Sequence, residues 1–415
     1  MKILMIYPQP DQRKNPRFGF SYELLTIATV LSKYHSIIIK DYSCEYRDDQ
    51  KLVLQIEKDN VDLVLVECDS FALKRSQNLL HAEWIFKHCI GIVPTIAYGN
   101  YCYITKRPFV NASYTIYEND INNIIDQVNS IDRSIIIPAI REYDELPFID
   151  RSLLQNIQYY QDNRKSTLLQ TAKGCENTCI FCQRKGWQKH YVFHSDEYVL
   201  AELRLVKEQG YKNIWITDEN FTFNILRAKK LLRKIATMLE VDGLNIFISS
   251  WANIDEEFLL LASRCNIKII SFGIESGNEN ILSYYRKNIK LETVPQLIEY
   301  ANSLGIFTVG NFIIGAPAES MDTITQTFEF IRKCKFDQIN IKTLDYMIGS
   351  ELYDSLDASM QKHDHVFASK ELGLTAFSLD QIQKLKKDFL DLYYKEHREI
   401  LKKKIHEYGP PYDKE

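Results

Sequence analysis

Cys175, Cys179 and Cys182 stand in Gly174-Cys175-Glu176-Asn177-Thr178-Cys179-Ile180-Phe181-Cys182, separated by three and then two residues. Thiolates bind iron strongly, and a tight loop carrying three of them can hold three irons of a [4Fe–4S] cube while the fourth iron has no protein ligand. An open iron is a place where chemistry can happen. The alternative for such a loop is a structural zinc, which needs a fourth Cys or His; His190 and His194 are the nearby donors. The other six cysteines, Cys44, Cys68, Cys89, Cys102, Cys265 and Cys334, are scattered without paired spacing, so they read as buried thiols.

Carboxylates and amides cluster at three later places. Asp218, Glu219 and Asn220 follow the apolar Trp215-Ile216-Thr217; Glu275 and Ser276 stand in Phe272-Gly273-Ile274-Glu275-Ser276-Gly277; Glu319 closes Gly310-Asn311-Phe312-Ile313-Ile314-Gly315-Ala316-Pro317-Ala318-Glu319. Oxygen atoms of this kind accept hydrogen bonds from an ammonium or a sugar hydroxyl. Each also has a plain structural use. Asn220 or Thr222 could start a helix, and Glu319 could cap one beginning near Met321.

Alternating apolar runs and helical patterns must position these groups. Over the first 130 residues, strands are expected at Ile3–Tyr7, Ser36–Asp41, Val61–Glu67, Val93–Tyr98 and Ser113–Tyr117, with helices near Tyr22–Lys33, Gln50–Asp59, Ala72–Lys87 and Ile121–Val128. That alternation argues for a parallel sheet covered by helices. The loop from Pro8 to Gly19 would lie at the strand ends, where open sheets place ligands. A second set of six strands is expected at Ser166–Thr171, Asn213–Thr217, Asn245–Ser250, Lys268–Gly273, Thr308–Ile314 and Gln338–Leu344. Beyond residue 350 the pattern turns helical, with Leu379, Ile382, Leu385, Phe389, Leu392 and Tyr393 on one apolar face. Lys384, Lys386, Lys387, Lys395 and Lys402-Lys403-Lys404 would form its solvated side, and Gly409-Pro410-Pro411-Tyr412 cannot continue the helix. The expected fold class is α/β, a Rossmann-like sheet followed by a six-strand partial TIM-type barrel and a C-terminal helical segment. The expected boundaries are 1–139, a linker over 140–165, the barrel over 166–350 and the helical extension over 351–415.

With 415 residues, 45% of them hydrophobic, and a formal net charge of −4, the chain has no basic field addressed to nucleic acid. The apolar run after Met1 ends at Pro8 and is too short for a signal peptide or a membrane span. A cytoplasmic setting is expected, with neither nucleic acid nor membrane as partner; a reducing compartment also suits an oxygen-labile cluster.

The cysteine spacing, with Phe181 before the last cysteine and Gly174 before the first, resembles the signature of radical S-adenosylmethionine (radical SAM) enzymes. The resemblance implies that the open iron chelates SAM and that one electron from the cluster releases a 5′-deoxyadenosyl radical. It also implies roles for the later motifs. Asp218, Glu219 and Asn220 are candidates for holding the amino group of SAM; Glu275 and Ser276 occupy the segment that contacts its ribose or carboxylate. Ile313 would touch the adenine, with Gly315 and Glu319 in the turn beyond. The sixth strand, through Ile341-Lys342-Thr343-Leu344-Asp345, resembles the adenine-proximal edge. An electron donor such as flavodoxin or ferredoxin is implied as a partner.

The amino-terminal pattern resembles the cobalamin-binding domain that precedes many radical SAM domains, through Phe18-Gly19-Phe20, Val61–Val66, Tyr98-Gly99-Asn100 and Ala112–Asp120. Glu142-Tyr143-Asp144-Glu145-Leu146-Pro147-Phe148-Ile149-Asp150 is similar to the acidic linker of the same subfamily. Asn100 and Asn119 depart from it, standing where it often has glycine, and the Asp-x-His-x-x-Gly signature that gives cobalt a histidine is missing. The implied cofactors are the [4Fe–4S] cluster, SAM and cobalamin. The expected function is methylation of an unactivated carbon in a small molecule or natural-product intermediate; the alternative is a radical cyclisation, rearrangement or oxidation without methyl transfer. Trp251 and Asn253, at a strand end, are candidates to face the substrate or else a packed indole and a helix cap. No catalytic side chain is named by the sequence.

Overall fold

The computed structural model describes residues 1–8, 20–42, 47–68, 77–154, 165–186, 190–238 and 243–408, the side chains of 77, 185, 186 and 397–408 excepted. Most of the Pro8–Gly19 loop, Cys44, the expected helix start at residues 72–76 and the Gly409–Tyr412 tail lie outside them. The chain divides into two compact units: Met1–Leu168 with 183–189 and 361–365, and Leu169–Cys182 with 190–360 and 366–415.

In the first unit, β1 (Lys2–Tyr7), β2 (Ser36–Asp41), β3 (Leu63–Glu67), β4 (Thr95–Tyr98) and β5 (Tyr114–Thr115) form one parallel sheet in the order β2-β1-β3-β4-β5. Five consecutive residues of β1 and all of β3 are buried, as strands covered on both faces must be, and their Ile, Leu and Val side chains suit that position. Helices α1 (Tyr22–Ser32), α2 (Asp49–Lys58), α3 (Gln77–Cys89), α4 (Asn100–Thr105) and α5 (Ile121–Ile131) connect the strands. Ser21, Asp48 and Asp120 cap three of them by accepting a backbone N–H. The strand order is that of a doubly wound sheet whose switch point lies between β1 and β3.

Helix α4 was not expected. It begins at Gly99, whose φ of +108° and whose absent Cβ, which would stand 2.7 Å from the Cys68 carbonyl oxygen, both require glycine. Asn100 is the first residue of that helix and lies outside the left-handed region, so glycine's freedom is not needed there. Past α5 the chain runs through two 3₁₀ turns, Tyr143–Glu145 and Arg151–Leu153. The Arg151 guanidinium is buried and donates to Thr167 Oγ1 (2.8 Å) and the Leu168 carbonyl (2.7 Å), tying the linker to the next strand.

The second sheet has six strands in the order β6-β9-β10-β11-β12-β13: β6 (Ser166–Leu169), β9 (Asn213–Ile216), β10 (Asn245–Trp251), β11 (Ile267–Glu275), β12 (Phe307–Ile314) and β13 (Gln338–Thr343). Pairing is parallel from β9 to β13. A short antiparallel ladder, β7 (Ala172–Lys173) with β8 (Val192–Phe193), flanks the cysteine loop. Between the strands run α6 (Asp196–Glu208), α7 (Ile225–Ile235), α8 (Glu256–Arg264), α9 (Glu279–Tyr285), α10 (Val294–Ser303) and α11 (Met321–Cys334). One large apolar core joins these helices to the sheet, while a smaller cluster of Trp215, Phe247, Ile269, Phe307 and Val309 forms separately. An α/β fold with an amino-terminal Rossmann-like sheet, a six-strand partial barrel and a carboxy-terminal helix is what this chain adopts.

Two three-residue strands, β14 (Asp345–Met347) and β15 (His365–Phe367), pair with one another; the short α12 (Glu351–Asp354) lies between them in sequence, and α13 (Leu379–Tyr408) follows. Helix α13 seals the open edge at β13. The Tyr394 hydroxyl accepts the Ile339 N–H (3.1 Å) and donates to the Ile339 carbonyl (3.0 Å), and Tyr393 donates to the Phe336 carbonyl (2.6 Å). Edge groups of a sheet otherwise invite pairing with another strand. The buried face of α13 is Ile382, Phe389 and Tyr393; Leu379 and Leu392 are exposed, because one straight helix cannot turn the whole expected set toward a narrow sheet edge. Lys386 was expected among the solvated lysines and is instead half-buried against Thr343. Among the described residues, no helix is long and apolar enough to cross a membrane.

Candidate active site

The cysteine loop leaves the end of β6 and is held by what the next strand delivers. Asp218 is buried and takes three hydrogen bonds: the Thr171 N–H at 2.7 Å, the Ala172 N–H at 3.0 Å and the Thr171 hydroxyl at 2.5 Å. Burial lifts its carboxyl to about 6, against the pull of these donors. Glu219 accepts the Gly174 N–H at 2.8 Å, one residue before the first cysteine. Arg227 reaches the same strand end from α7, donating to the Thr171 carbonyl (2.8 Å) and, at 3.3 Å, to the His194 carbonyl. Asn220 instead accepts from the N–H (3.3 Å) and hydroxyl (3.1 Å) of Thr222 in a tight turn, and Asn224 caps α7.

Within the loop, Cys182 N–H donates to the Cys179 carbonyl (3.2 Å) and Asn177 Nδ2 to Cys175 Sγ (3.2 Å). Burial raises the thiols of Cys175 and Cys179, the latter to about 12, and Lys287 is the chief charge pulling Cys179 back down. The three thiols lie in one another's field, yet among the described residues no three His, Cys, Asp or Glu side chains converge on a point that could hold one ion. A tetrahedral zinc demands sulfurs about 3.8 Å apart, given its ~2.3 Å bonds. A cube gives each thiolate its own iron and so spreads them. Three thiols on one loop are the donor set that a cube with one open iron needs. His194 is buried and stacked on Tyr198 (3.7 Å, 4°), and His190 is exposed.

Opposite the loop, β11 ends in an irregular step. The register with β12 shifts between Gly273 and Glu275, and Glu275 has a φ of +77°. Bulges of this kind re-aim a side chain next to a site. Here the Glu275 carboxylate reaches the Lys287 ammonium at 3.2 Å, and that ammonium also lies 3.9 Å from the centre of the Trp251 ring. Both charges are buried. Ser276 is engaged elsewhere, 3.2 Å from the Thr327 hydroxyl and accepting the Asn278 N–H at 3.1 Å. Asn253 is exposed, and Asp255 caps α8 in its place.

The turn beyond β12 is braced by Glu319, whose Oε2 accepts the N–H groups of Gly315 and Ala316 (2.9 Å to the latter). Gly315 has φ +112°. Ser320, not Glu319, caps α11, in a reciprocal box with Thr323. Burial pushes the Glu319 carboxyl up to about 7, and its Oε1 has no protein partner. The buried Tyr285 hydroxyl has none either. The Tyr285 ring meets Phe181 of the cysteine loop edge to face at 5.2 Å, and burial first, then the charges of Glu319 and Glu275, raise its hydroxyl well above the usual tyrosine range. Two orphaned buried oxygens beside this loop are what a polar ligand would satisfy. Ile313 is half-buried on β12.

The comparisons agree with this geometry. Residues 169–331 match the Radical SAM superfamily. The chain carries a radical SAM domain. Domains of this superfamily use a [4Fe–4S] cluster and SAM. An uncharacterized methyltransferase, PH0819, of Pyrococcus horikoshii is 27% identical over 62% of this chain and 57% of its own length. Cytidylyl-2-hydroxyethylphosphonate methyltransferase of Streptomyces wedmorensis is 30% identical over 44% of this chain and 36% of its own. Both alignments span less than two thirds of the relative. Among solved structures, the radical SAM methyltransferase TsrM from Kitasatospora setae, with cobalamin and a [4Fe–4S] cluster bound, superposes with a TM-score of 0.71 over 85% of this chain and 76% of its own at 17% identity. The cobalamin-dependent radical SAM enzyme OxsB gives 0.63 over 96% of this chain and 61% of its own at 15% identity.

Lys287, Arg227, Thr171 and Tyr285 were not singled out by sequence. Arg227, Thr171 and Tyr285 act through partners far away in the chain: Arg227 lies 56 residues from Thr171. The one local signal was the position of Lys287 shortly after the Glu275-Ser276-Gly277 segment.

Proposed function

We propose that Cys175, Cys179 and Cys182 hold a [4Fe–4S] cluster at which SAM is cleaved, in the service of cobalamin-dependent methylation of an unactivated carbon on a small molecule. The cluster assignment is supported by three thiols on one loop, in one another's field, within the stretch that matches the Radical SAM superfamily. When bound, the cluster supplies the electron that splits SAM into methionine and a 5′-deoxyadenosyl radical, and cobalamin supplies the methyl group. The chain's own residues hold and orient. Asp218, Arg227 and Glu219 fix the stem of the cysteine loop. Lys287 brings a buried positive charge that offsets ionised thiols, and the unpartnered oxygens of Glu319 and Tyr285 take donors of the SAM ammonium or ribose. Ile313 offers an apolar contact for adenine.

Support for cobalamin comes from the doubly wound order of the first sheet, a topology in which ligands bind at the switch point, here the β1 and β3 ends, and from the likeness of 85% of the chain to TsrM and 96% to OxsB. The buried Tyr98 hydroxyl at the end of β4 lacks a protein partner and fits a polar ligand there. The test is anaerobic reconstitution with iron, sulfide and cobalamin, followed by gel filtration and assay of 5′-deoxyadenosine. Retained cobalamin with deoxyadenosine formation supports the proposal. Deoxyadenosine without retained cobalamin leaves a radical cyclisation, rearrangement or oxidation in its place, and no deoxyadenosine overturns the SAM cleavage.

A further inference from the structure

The six-strand sheet has one face covered by helices and one that encloses the barrel interior. Ile248, Phe272, Phe312 and Ile341 lie in the apolar core that joins the helices to the sheet, so the alternation of a strand turns Ser249, Ser271, Asn311 and Asn340 inward. Beneath these four the interior is closed: Phe247, Ile269, Phe307 and Val309 are buried and pack with Trp215. The four themselves are half-buried. The interior is therefore open from the strand ends that carry the cysteine loop down to this polar rung, and shut by the apolar floor below it.

Hydrogen bonds run through the rung in one direction. Gln338 Nε2 donates to Asn340 Oδ1 (3.4 Å), Asn340 Nδ2 to Asn311 Oδ1 (3.0 Å), and Asn311 Nδ2 to both Ser271 Oγ (2.9 Å) and the Phe272 carbonyl (3.0 Å). Both Nδ2 protons of Asn311 are thereby used. The relay ends on the Ser271 hydroxyl, whose own proton has no acceptor among the described residues. Ser249 pairs with Ser271 in register, and its hydroxyl has no partner among them either. A hydroxyl that already accepts a hydrogen bond is polarised into a better donor, so the rung offers a proton to whatever enters. None of its side chains is charged. One step above, at Gly273, the Glu275 and Lys287 charges compensate each other at 3.2 Å. A charged group on the rung would sit over an apolar floor without a counter-charge, which costs far more than burying a neutral group that is hydrogen-bonded.

We infer that Ser271, polarised through Asn340 and Asn311, anchors the substrate by a neutral hydrogen-bond acceptor, a ketone or amide carbonyl or a ring nitrogen, at the floor of the barrel. The anchor deepens the proposed radical SAM reading and rests on it only in calling the occupant the substrate. The rest of that substrate then extends toward the cysteine loop. Four phenyl compounds of similar size serve as probes on the whole reconstituted chain: acetophenone, a neutral acceptor; ethylbenzene, which has no acceptor; benzoate, an anion; and benzylammonium, a cation. Ligand-observed NMR titration gives their dissociation constants.

Acetophenone should bind about fivefold more tightly than ethylbenzene, as one hydrogen bond allows, and more tightly than either ion. Ser271→Ala should remove that preference by weakening acetophenone alone, and Ser271→Thr, which keeps the hydroxyl, should preserve it. Equal binding of acetophenone and ethylbenzene by the wild type, a preference that survives Ser271→Ala, tighter binding of benzoate or benzylammonium, or no saturable binding of acetophenone overturns the anchor. Deoxyadenosine formation is assayed separately. Its absence beside a Ser271-dependent preference defeats the SAM reading and leaves the anchor standing; its presence without that preference defeats the anchor alone.

Discussion

The Glu275 carboxylate and the Lys287 ammonium meet at 3.2 Å across Gly273, at which a Cβ would stand 2.9 Å from Glu275 Oε1 and 3.3 Å from Lys287 Nζ. Neither charge is cheap to bury. Removing one partner of a buried pair costs about 3–5 kcal/mol because the other is left uncompensated, whereas removing both is often tolerated. Lys287→Met should therefore lower the denaturant midpoint by an amount equivalent to about 3–5 kcal/mol. Lys287→Met with Glu275→Gln should recover most of it. Additive losses in this double-mutant cycle would show that the two groups do not interact.

Replacing Cys175, Cys179 or Cys182 by Ala should abolish the cube, since two thiolates rarely retain it. Cys265 and Cys334 are buried among apolar side chains, and burial raises both thiols to about 12; their Ala variants should keep full iron. Iron and sulfide content with visible absorbance measures this. A triple Cys variant holding wild-type iron would defeat the assignment.

Glu319 should make the protein less stable as pH rises. Its carboxyl ionises near 4.5 in an unfolded chain and near about 7 when folded, so between those values the folded state holds a proton that the unfolded state has lost. Stability falls through that window, by on the order of 3 kcal/mol in all. Glu319→Gln keeps an acceptor for the Gly315 and Ala316 N–H groups without the charge. Its melting temperature should therefore fall less than that of the wild type between about pH 5 and pH 8. Parallel curves would remove Glu319 as the source.

The strands were legible because each is an apolar run of β-branched residues bounded by polar or glycine turns; all six barrel strands overlap their expected ranges, with ends displaced by two residues or fewer. What escaped is what only the fold brings together. The Tyr394 hydroxyl on the β13 edge, 55 residues from Ile339, leaves no periodic trace. Lys386 looks like one more solvated lysine until Thr343 is seen beneath it. Motif reading placed Asp218, Glu219 and Asn220 together as three equal candidates, yet their hydrogen bonds separate them: one holds the stem of the loop, one its first glycine, and one a turn of its own.

Asp218 and Glu319 consequently predict different failures. Asp218 accepts from Thr171 N–H, Thr171 Oγ1 and Ala172 N–H, and without it three donors at a buried strand end lose their partner, at about 1–3 kcal/mol each. Asp218→Ala should loosen the stem from which the cysteines hang, so the variant should hold less iron after reconstitution and bleach faster in air. Asp218→Asn retains an acceptor for the two N–H groups and should sit between that variant and the wild type. Glu319→Ala loses the brace of a turn on another strand, so iron content should stay near wild type while SAM is bound more weakly in equilibrium dialysis. If Asp218→Ala keeps its iron and loses only SAM affinity, Asp218 contacts the ligand and is not the brace of the loop.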